Sequence, residues 1–261
     1  MKWKPRSWLR VVKRLKDDLS SACVRHTAPL LADRRYAFVR SVYGPELRDC
    51  PNDVTHRLCV EGYGPFISDA IQAQEGEFIF LDIGANAGVF SLLADRMANC
   101  RRIYAFEPIP ETFRRLVINS ARNRAGKIHP VRAAISDTGR DFQYMTCDPR
   151  HSGMARFVGK RRSGSIGVRT LNGRALARLI GDPALPILAK IDVEGAEALV
   201  LGALGKAPFY RNLNRLIIEV SRDRGGSAGT ETLKAMLAED GFVERARSGP
   251  DNHYDALYER S

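Results

Sequence analysis

The residues with chemical potential in this sequence stand at the ends of apolar runs. Phe78 to Ile83 is bulky and nearly all apolar, as a strand buried on both faces requires. It runs through Asp82 into Gly84-Ala85-Asn86-Ala87-Gly88. A strand, a glycine turn and a helix start together open a nucleotide-type site at the end of a parallel sheet. Gly84 and Gly88 are expected to let backbone approach a ligand where a Cβ would clash. A pyrophosphate would sit on amides and a helix N-terminus. Here, however, Asn86 and Val89 stand where a dinucleotide fingerprint has its second and third glycines, and the Asp82 carboxylate would repel the phosphates. A ligand carrying an ammonium and a sulfonium suits that carboxylate, and S-adenosylmethionine is such a ligand.

The next strand, Arg102 to Phe106, ends in Glu107-Pro108, and Glu107 follows Asp82 by 25 positions (107 − 82). An acid at the end of a second strand accepts hydrogen bonds from both ribose hydroxyls; a solvated acid at a loop start is the plain alternative. Asp137, after the third strand, is placed to reach an adenine amino group. Ile187 to Ile191 is apolar apart from Lys190 and leads into Asp192-Val193-Glu194-Gly195-Ala196-Glu197. In extended backbone, residues i and i+2 share a face, which predicts Asp192 and Glu194 in one cleft with Val193 turned away. Two close carboxylates repel, and one becomes a base. Alternatively the pair holds Mg²⁺, which lowers the pKa of a bound hydroxyl. Glu197 is read as an acid at the positive end of a helix. Glu219, inside the apolar run Leu216 to Val220, needs a partner if buried and is a third candidate for the catalytic group or a salt bridge. His151 and His253 are further bases to consider, although a loop histidine is commonly just solvated.

These residues need a framework. From Phe78 onward, strands alternate with helices, which gives a parallel sheet with helices on both faces. Predicted strands are 78–83, 102–106, 129–135, 186–192, 214–220, 241–247 and 254–259. Predicted helices are 66–74, 88–98, 111–122, 173–180, 195–204 and 229–239. Ser248 to His253 is too short for a helical crossover, so the last two strands must pair antiparallel. An insert at about 138–172 is read as two extended segments, Asp141 to Cys147 and Ser165 to Leu171, joined by a mobile basic tip. It is either a lid over the cleft or a surface hairpin. Residues 1–60 form a basic helical extension, with one apolar stripe at Trp8, Val11, Val12, Leu15 and Leu19 and a further helix at Leu30 to Val42. Residues 61–261 form the main domain.

The runs Asp82-Ile-Gly-Ala-Asn86-Ala-Gly88, Ala105-Phe-Glu107-Pro108, Ala133-Ala-Ile-Ser-Asp137 and Lys190-Ile-Asp192-Val-Glu194-Gly195-Ala-Glu197 resemble, in order and spacing, the FkbM-type methyltransferases. The resemblance covers about residues 60 to 261. It implies a doubly wound, Rossmann-like seven-stranded α/β fold, with S-adenosylmethionine as methyl donor and the hydroxyl of a sugar, glycan, glycolipid or natural product as acceptor.

Composition sets bounds. With 44% hydrophobic and 27% charged residues, a disordered chain is excluded. The five cysteines (Cys23, Cys50, Cys59, Cys100, Cys147) are scattered, so neither a zinc site nor a disulfide framework is indicated, and reduced cytoplasmic thiols are expected. No apolar run approaches the ~20 residues of a membrane span. The net charge of +11 is concentrated in residues 1–50 and in the acid-free stretch between Asp148 and Asp182. Such patches suit an anionic partner or a solvated face. The stripe in residues 1–20 would dock on protein, on a second subunit, or on an anionic membrane surface. A 2′-O RNA methyltransferase is an alternative, which the Lys190–Asp192 pair partly resembles, but the patches lack aromatic neighbours for base stacking and so argue against nucleic acid. A non-catalytic basic adaptor is the other alternative.

Overall fold

The structure, a computed structural model, describes residues 36–249 and 253–261. The stripe at Trp8 to Leu19 lies outside the described residues. The main sheet is built on β3 (Phe78–Ile83), all six residues of which are buried. Its alternation is internal: Ile79, Leu81 and Ile83 pack into the core on one face, Phe78 and Phe80 into the core on the other. This two-sided burial explains why the strand lacks polar residues except Asp82.

On one side of β3 stand β4 (Cys100–Phe106) and β5 (Ile128–Val131); on the other stand β10 (Ile187–Ile191) and β11 (Leu213–Ser221), all parallel. Then β13 (His253–Arg260) inserts antiparallel between β11 and β12 (Phe242–Arg247). Among the described residues the sheet therefore has seven strands, in the order β12-β13-β11-β10-β3-β4-β5. This is the mostly parallel, doubly wound Rossmann-like sheet, finished by the antiparallel C-terminal hairpin. The helices on its faces are α1 (Val54–Glu61), α2 (Pro65–Gln72), α3 (Val89–Asp95), α4 (Pro110–Arg122), α5 (Gly173–Ile180), α6 (Glu197–Leu204) and α7 (Arg222–Glu239).

Four features depart from the expectations. Within Leu30 to Val42, the described part is not helical: β1 (Phe38–Arg40) pairs antiparallel with β2 (Glu46–Arg48) around Gly44, whose φ is 96°. The hairpin is fixed from outside, because the amides of Glu46 and Arg48 donate to the side chains of Asn123, the C-cap of α4, and of Asn119 within it, at 2.9 and 2.7 Å. The division at residue 60 falls inside α1, and Cys59 and Leu47 belong to the main core. The third core strand is shorter than 129–135. It stops at Val131, and β6 (Ala134–Ile135) leaves to pair with β9 (Ile166–Leu171).

The insert contains a strand where a mobile tip was expected. It comprises β7 (Phe142–Asp148), β8 (His151–Val158) and β9, in the order β6-β9-β7-β8. β8 packs against α1, and a Cβ on Gly153 would press to 3.0 Å from Thr55. That close approach accounts for a glycine inside a strand. The Lys160-Arg161-Arg162 run lies exposed between β8 and β9.

Candidate active site

The turn after β3 is held by its neighbours. The Gly84 and Ala85 amides donate to the Phe106 carbonyl at 3.1 and 2.9 Å, and Gly88 closes the turn on Ala85 at 2.8 Å. Gly84 and Gly88 have φ of 81° and 86°. A Cβ on Gly84 would strike the Asp192 carbonyl, and one on Gly88 would strike Leu116. These glycines therefore permit close packing of the turn against the chain after β10 and against α4. Asn86, with φ 49°, donates its amide to Glu107 Oε2 at 3.1 Å and its side-chain Nδ2 to Ser152 Oγ at 3.2 Å. The turn is thereby tied to the end of β4 and to β8.

Glu107 is 5% exposed and takes a second backbone donor, Ile109 N–H, on Oε1 at 2.8 Å. Burial raises its pKa to about 7 against these two hydrogen bonds. Its side of the cleft has apolar walls: Phe106, Ile135, Met145 and Phe157.

At the other end, Asp192, Glu194 and Glu219 each offer an oxygen within 4.8 Å of the others. Lys190 lies beneath them, 2% exposed, with its Nζ 3.3 Å from Asp192 Oδ2, 3.5 Å from Asp82 Oδ1 and 3.2 Å from the Gly84 carbonyl. Burial opposes its charge, but the Asp192 and Asp82 carboxylates outweigh burial and hold its pKa above the ordinary lysine value. Glu219 is pushed up to about 9 by burial and by the charges of Asp192, Glu197 and Asp255, and His253 Nε2 stands 3.4 Å from its Oε1. Burial and Asp192 raise Asp255 to about 6. A base, a shared proton or a divalent cation all suit this group of acids.

The sequence matches the methyltransferase FkbM domain over residues 82–244, more than half of the chain. The chain belongs to the FkbM methyltransferase family. Its relatives include the hexuronic acid methyltransferase AglP of Haloferax volcanii, 29% identical over 58% of this chain and 59% of that protein. The 31-O-demethyl-FK506 methyltransferase FkbM of Streptomyces tacrolimicus is 28% identical over 71% of this chain and 80% of its own. The AMB antimetabolite synthetase AmbE of Pseudomonas aeruginosa is 27% identical over 76% of this chain and 11% of its own. The chain thus spans about three-fifths of the length of AglP and a small part of AmbE.

In this FkbM-family chain, Gly84, Asn86, Glu107, Asp192, Glu194 and Glu219 line one cleft. Asp82 does not reach it. The carboxylate is fully buried, accepts from Ser91 Oγ at 2.6 Å and faces Lys190, because β3 carries it under the turn. Gly88 is likewise behind the wall, as the N-cap of α3. Asp137 is drawn away from the cleft by Lys206, whose Nζ donates to both of its oxygens at 2.6 and 2.7 Å. Asp192 and Glu194 do meet, but not as residues of one strand. β10 ends at Ile191, Glu194 turns back with φ 59°, and Val193 also lines the cleft. Glu197 accepts from the Gly195 amide at 3.0 Å and so closes its own helix start. His151 joins the cleft wall, with Nδ1 3.1 Å from Thr55 Oγ1.

Sequence reasoning missed Asp53, Tyr63, Ser152 and Asp255. Asp53 caps α1 on Thr55 N–H, accepts from Ser152 N–H at 3.1 Å and forms an ion pair with Arg115. Burial opposes its charge, but the Ser152 and Arg115 hydrogen bonds outweigh burial and hold the carboxyl below the ordinary range. The one available signal was Asp53 as an N-cap before Val54. Asp255 faces Glu219 across the β11–β13 register, a pairing not visible along the chain.

Proposed function

We propose that this chain binds S-adenosylmethionine in the cleft and transfers its methyl group to a hydroxyl of a sugar or natural product. The observation that carries this is the convergence of Glu107 with Asp192, Glu194 and Glu219 on one cleft at the carboxyl ends of parallel strands. The residues fit the cofactor. Among the described residues, Glu107 is a buried carboxyl held by two backbone donors, and two ribose hydroxyls would supply further ones. The apolar wall of Ile135, Met145 and Phe157 suits an adenine ring, and the Gly84–Asn86 turn is beside the place for the amino-acid end. The activities for which two relatives are named, as a hexuronic acid methyltransferase and a 31-O-demethyl-FK506 methyltransferase, support a hydroxylated acceptor.

When bound, S-adenosylmethionine supplies an electrophilic methyl group. The chain must align the acceptor hydroxyl and remove its proton. Asp192 takes that proton, with Glu194 as its partner. Lys190 holds a counter-charge against Asp192 and fixes it relative to the β3 turn. Glu219, with its pKa near 9, keeps its own proton at neutral pH and limits the repulsion around Asp192. The 4.8 Å spacing of the three acids favours a second reading, in which Asp192 and Glu194 hold Mg²⁺. A metal there would lower the pKa of a coordinated hydroxyl.

Calorimetry with S-adenosylmethionine separates an enzyme from a basic adaptor. Asp192→Asn should leave cofactor binding intact and lower turnover by about 10²-fold or more, the scale of a lost acid–base group. Methyl transfer to a panel of hexuronic acids, neutral glycosides and macrolides measures it. EDTA should inhibit only if a metal is used. Normal turnover in Asp192→Asn would remove Asp192 from its role.

A further inference from the structure

On the reading of the cleft as a methyl-transfer site, we propose that the Tyr63 hydroxyl donates a hydrogen bond to the acceptor, and that this acceptor is a polyol such as a sugar ring. Tyr63 stands between two glycines in the left-handed region, Gly62 (φ 115°) closing α1 and Gly64 (φ 67°) opening α2. Its backbone is fully engaged: N–H donates to the Leu58 carbonyl at 2.7 Å, and its carbonyl accepts from Tyr43 Oη at 2.8 Å. Its ring leans on Phe90 at 6.5 Å between centroids, and Phe90 in turn lies under the Lys190 ammonium. These contacts hold Tyr63 at the cleft that Asp192, Glu194 and Glu219 also line.

The balance of donors and acceptors at that end gives Tyr63 its role. Asp192 presents an acceptor carboxylate. The three protons of Lys190 are spent on Asp82, Asp192 and the Gly84 carbonyl, and His253 faces Glu219. The Tyr63 hydroxyl makes no hydrogen bond to any of the described residues. The charge of Asp192, and then burial, oppose its ionisation, so it stays a proton donor. A hydroxyl about to be methylated gives its proton to a carboxylate. A second oxygen on the same molecule then gives the Tyr63 hydroxyl an acceptor, and a polyol presents such oxygens on either side of the reacting one. A sugar supplies both, and its C–H face suits an aromatic ring with a polar tip.

The test uses the full chain saturated with S-adenosylhomocysteine and two probes, methyl β-D-glucopyranoside and glucuronic acid, titrated by saturation-transfer NMR. Wild type should bind at least one probe. Tyr63→Phe, which keeps the ring, should bind that probe about fivefold or more weakly, the scale of one neutral hydrogen bond, with unchanged calorimetric affinity for S-adenosylhomocysteine. A wild type that binds S-adenosylhomocysteine but neither probe overturns the assignment, as does a Tyr63→Phe protein that binds like wild type. A wild type that does not bind S-adenosylhomocysteine overturns the underlying methyl-transfer reading instead.

Discussion

If Glu107 holds the ribose as proposed, burial and ligand binding pull its carboxyl in opposite directions. Burial lifts its pKa to about 7, against an ordinary 4.5. The folded state holds this proton more tightly than the unfolded chain, so the group's contribution to stability is fully present below about 4.5 and is lost as pH rises through about 7. The ionised carboxylate is the better acceptor for ribose hydroxyls. S-adenosylmethionine should therefore bind more tightly at pH 8 than at pH 6. Glu107→Gln should bind about tenfold more weakly at pH 8, the scale of one charge-assisted hydrogen bond, and lose most of that pH dependence. Calorimetry at the two pH values checks both. A wild-type profile in Glu107→Gln would remove the ribose role. The type and spacing of Glu107 were legible in the sequence. Its protonation was not, because its burial is a product of tertiary packing, which sets the Asn86 turn, distant along the chain, against it.

At the scale of elements, the roof of the cleft depends on Asp53. This side chain joins the start of α1 to β8 through Ser152 and to α4 through Arg115, and Ser152 continues to Asn86 in the glycine turn. Asp53 is 2% exposed. Asp53→Asn leaves Arg115 with a buried charge unpaired, and losing one partner of such a pair costs about 3 kcal/mol or more. Urea denaturation should show that loss, and hydrogen exchange should speed up at the β8 amides before those of β3. Equal protection in β8 would show that the roof is held by packing instead. β8 itself was not legible as a strand. Its glycine and alternating small residues give a weak signal alone, and it becomes a strand because β7 pairs with it and α1 closes on Gly153.

At the scale of the whole molecule, a positively charged protein concentrates carboxyls at its centre. Asp192, Glu197, Glu219 and Asp255 press on one another, with Lys190 among them. The folded pKa of Glu219, about 9, lies above its ordinary 4.5. Its contribution to stability is thus present below about 4.5 and is lost as pH rises toward about 9. Glu219→Gln should flatten this fall, so that the variant outlasts wild type in urea at pH 9 and differs less at pH 5. Parallel stability–pH curves for the two proteins would show that Glu219 is not the group responsible. Among the described residues, no helix is long and apolar enough to cross a membrane.

The sequence by itself determined the sheet and the positions of its chemistry. Two-sided apolar runs alternating with helices fit the central strands of a parallel sheet, and the short Ser248 to His253 link forces an antiparallel ending. Acids at the ends of such runs, Glu107 and Asp192, must reach the carboxyl edge of the sheet. Tertiary structure alone decided which neighbouring residues face the cleft. Asp82 follows strand periodicity under the turn, Lys206 pulls Asp137 away, and Tyr63 and Asp255 arrive from separate segments. Local periodicity fixes the direction of a side chain relative to its own element. Whether that direction ends in a cleft or in a salt bridge depends on charges and glycine contacts supplied from elsewhere in the chain.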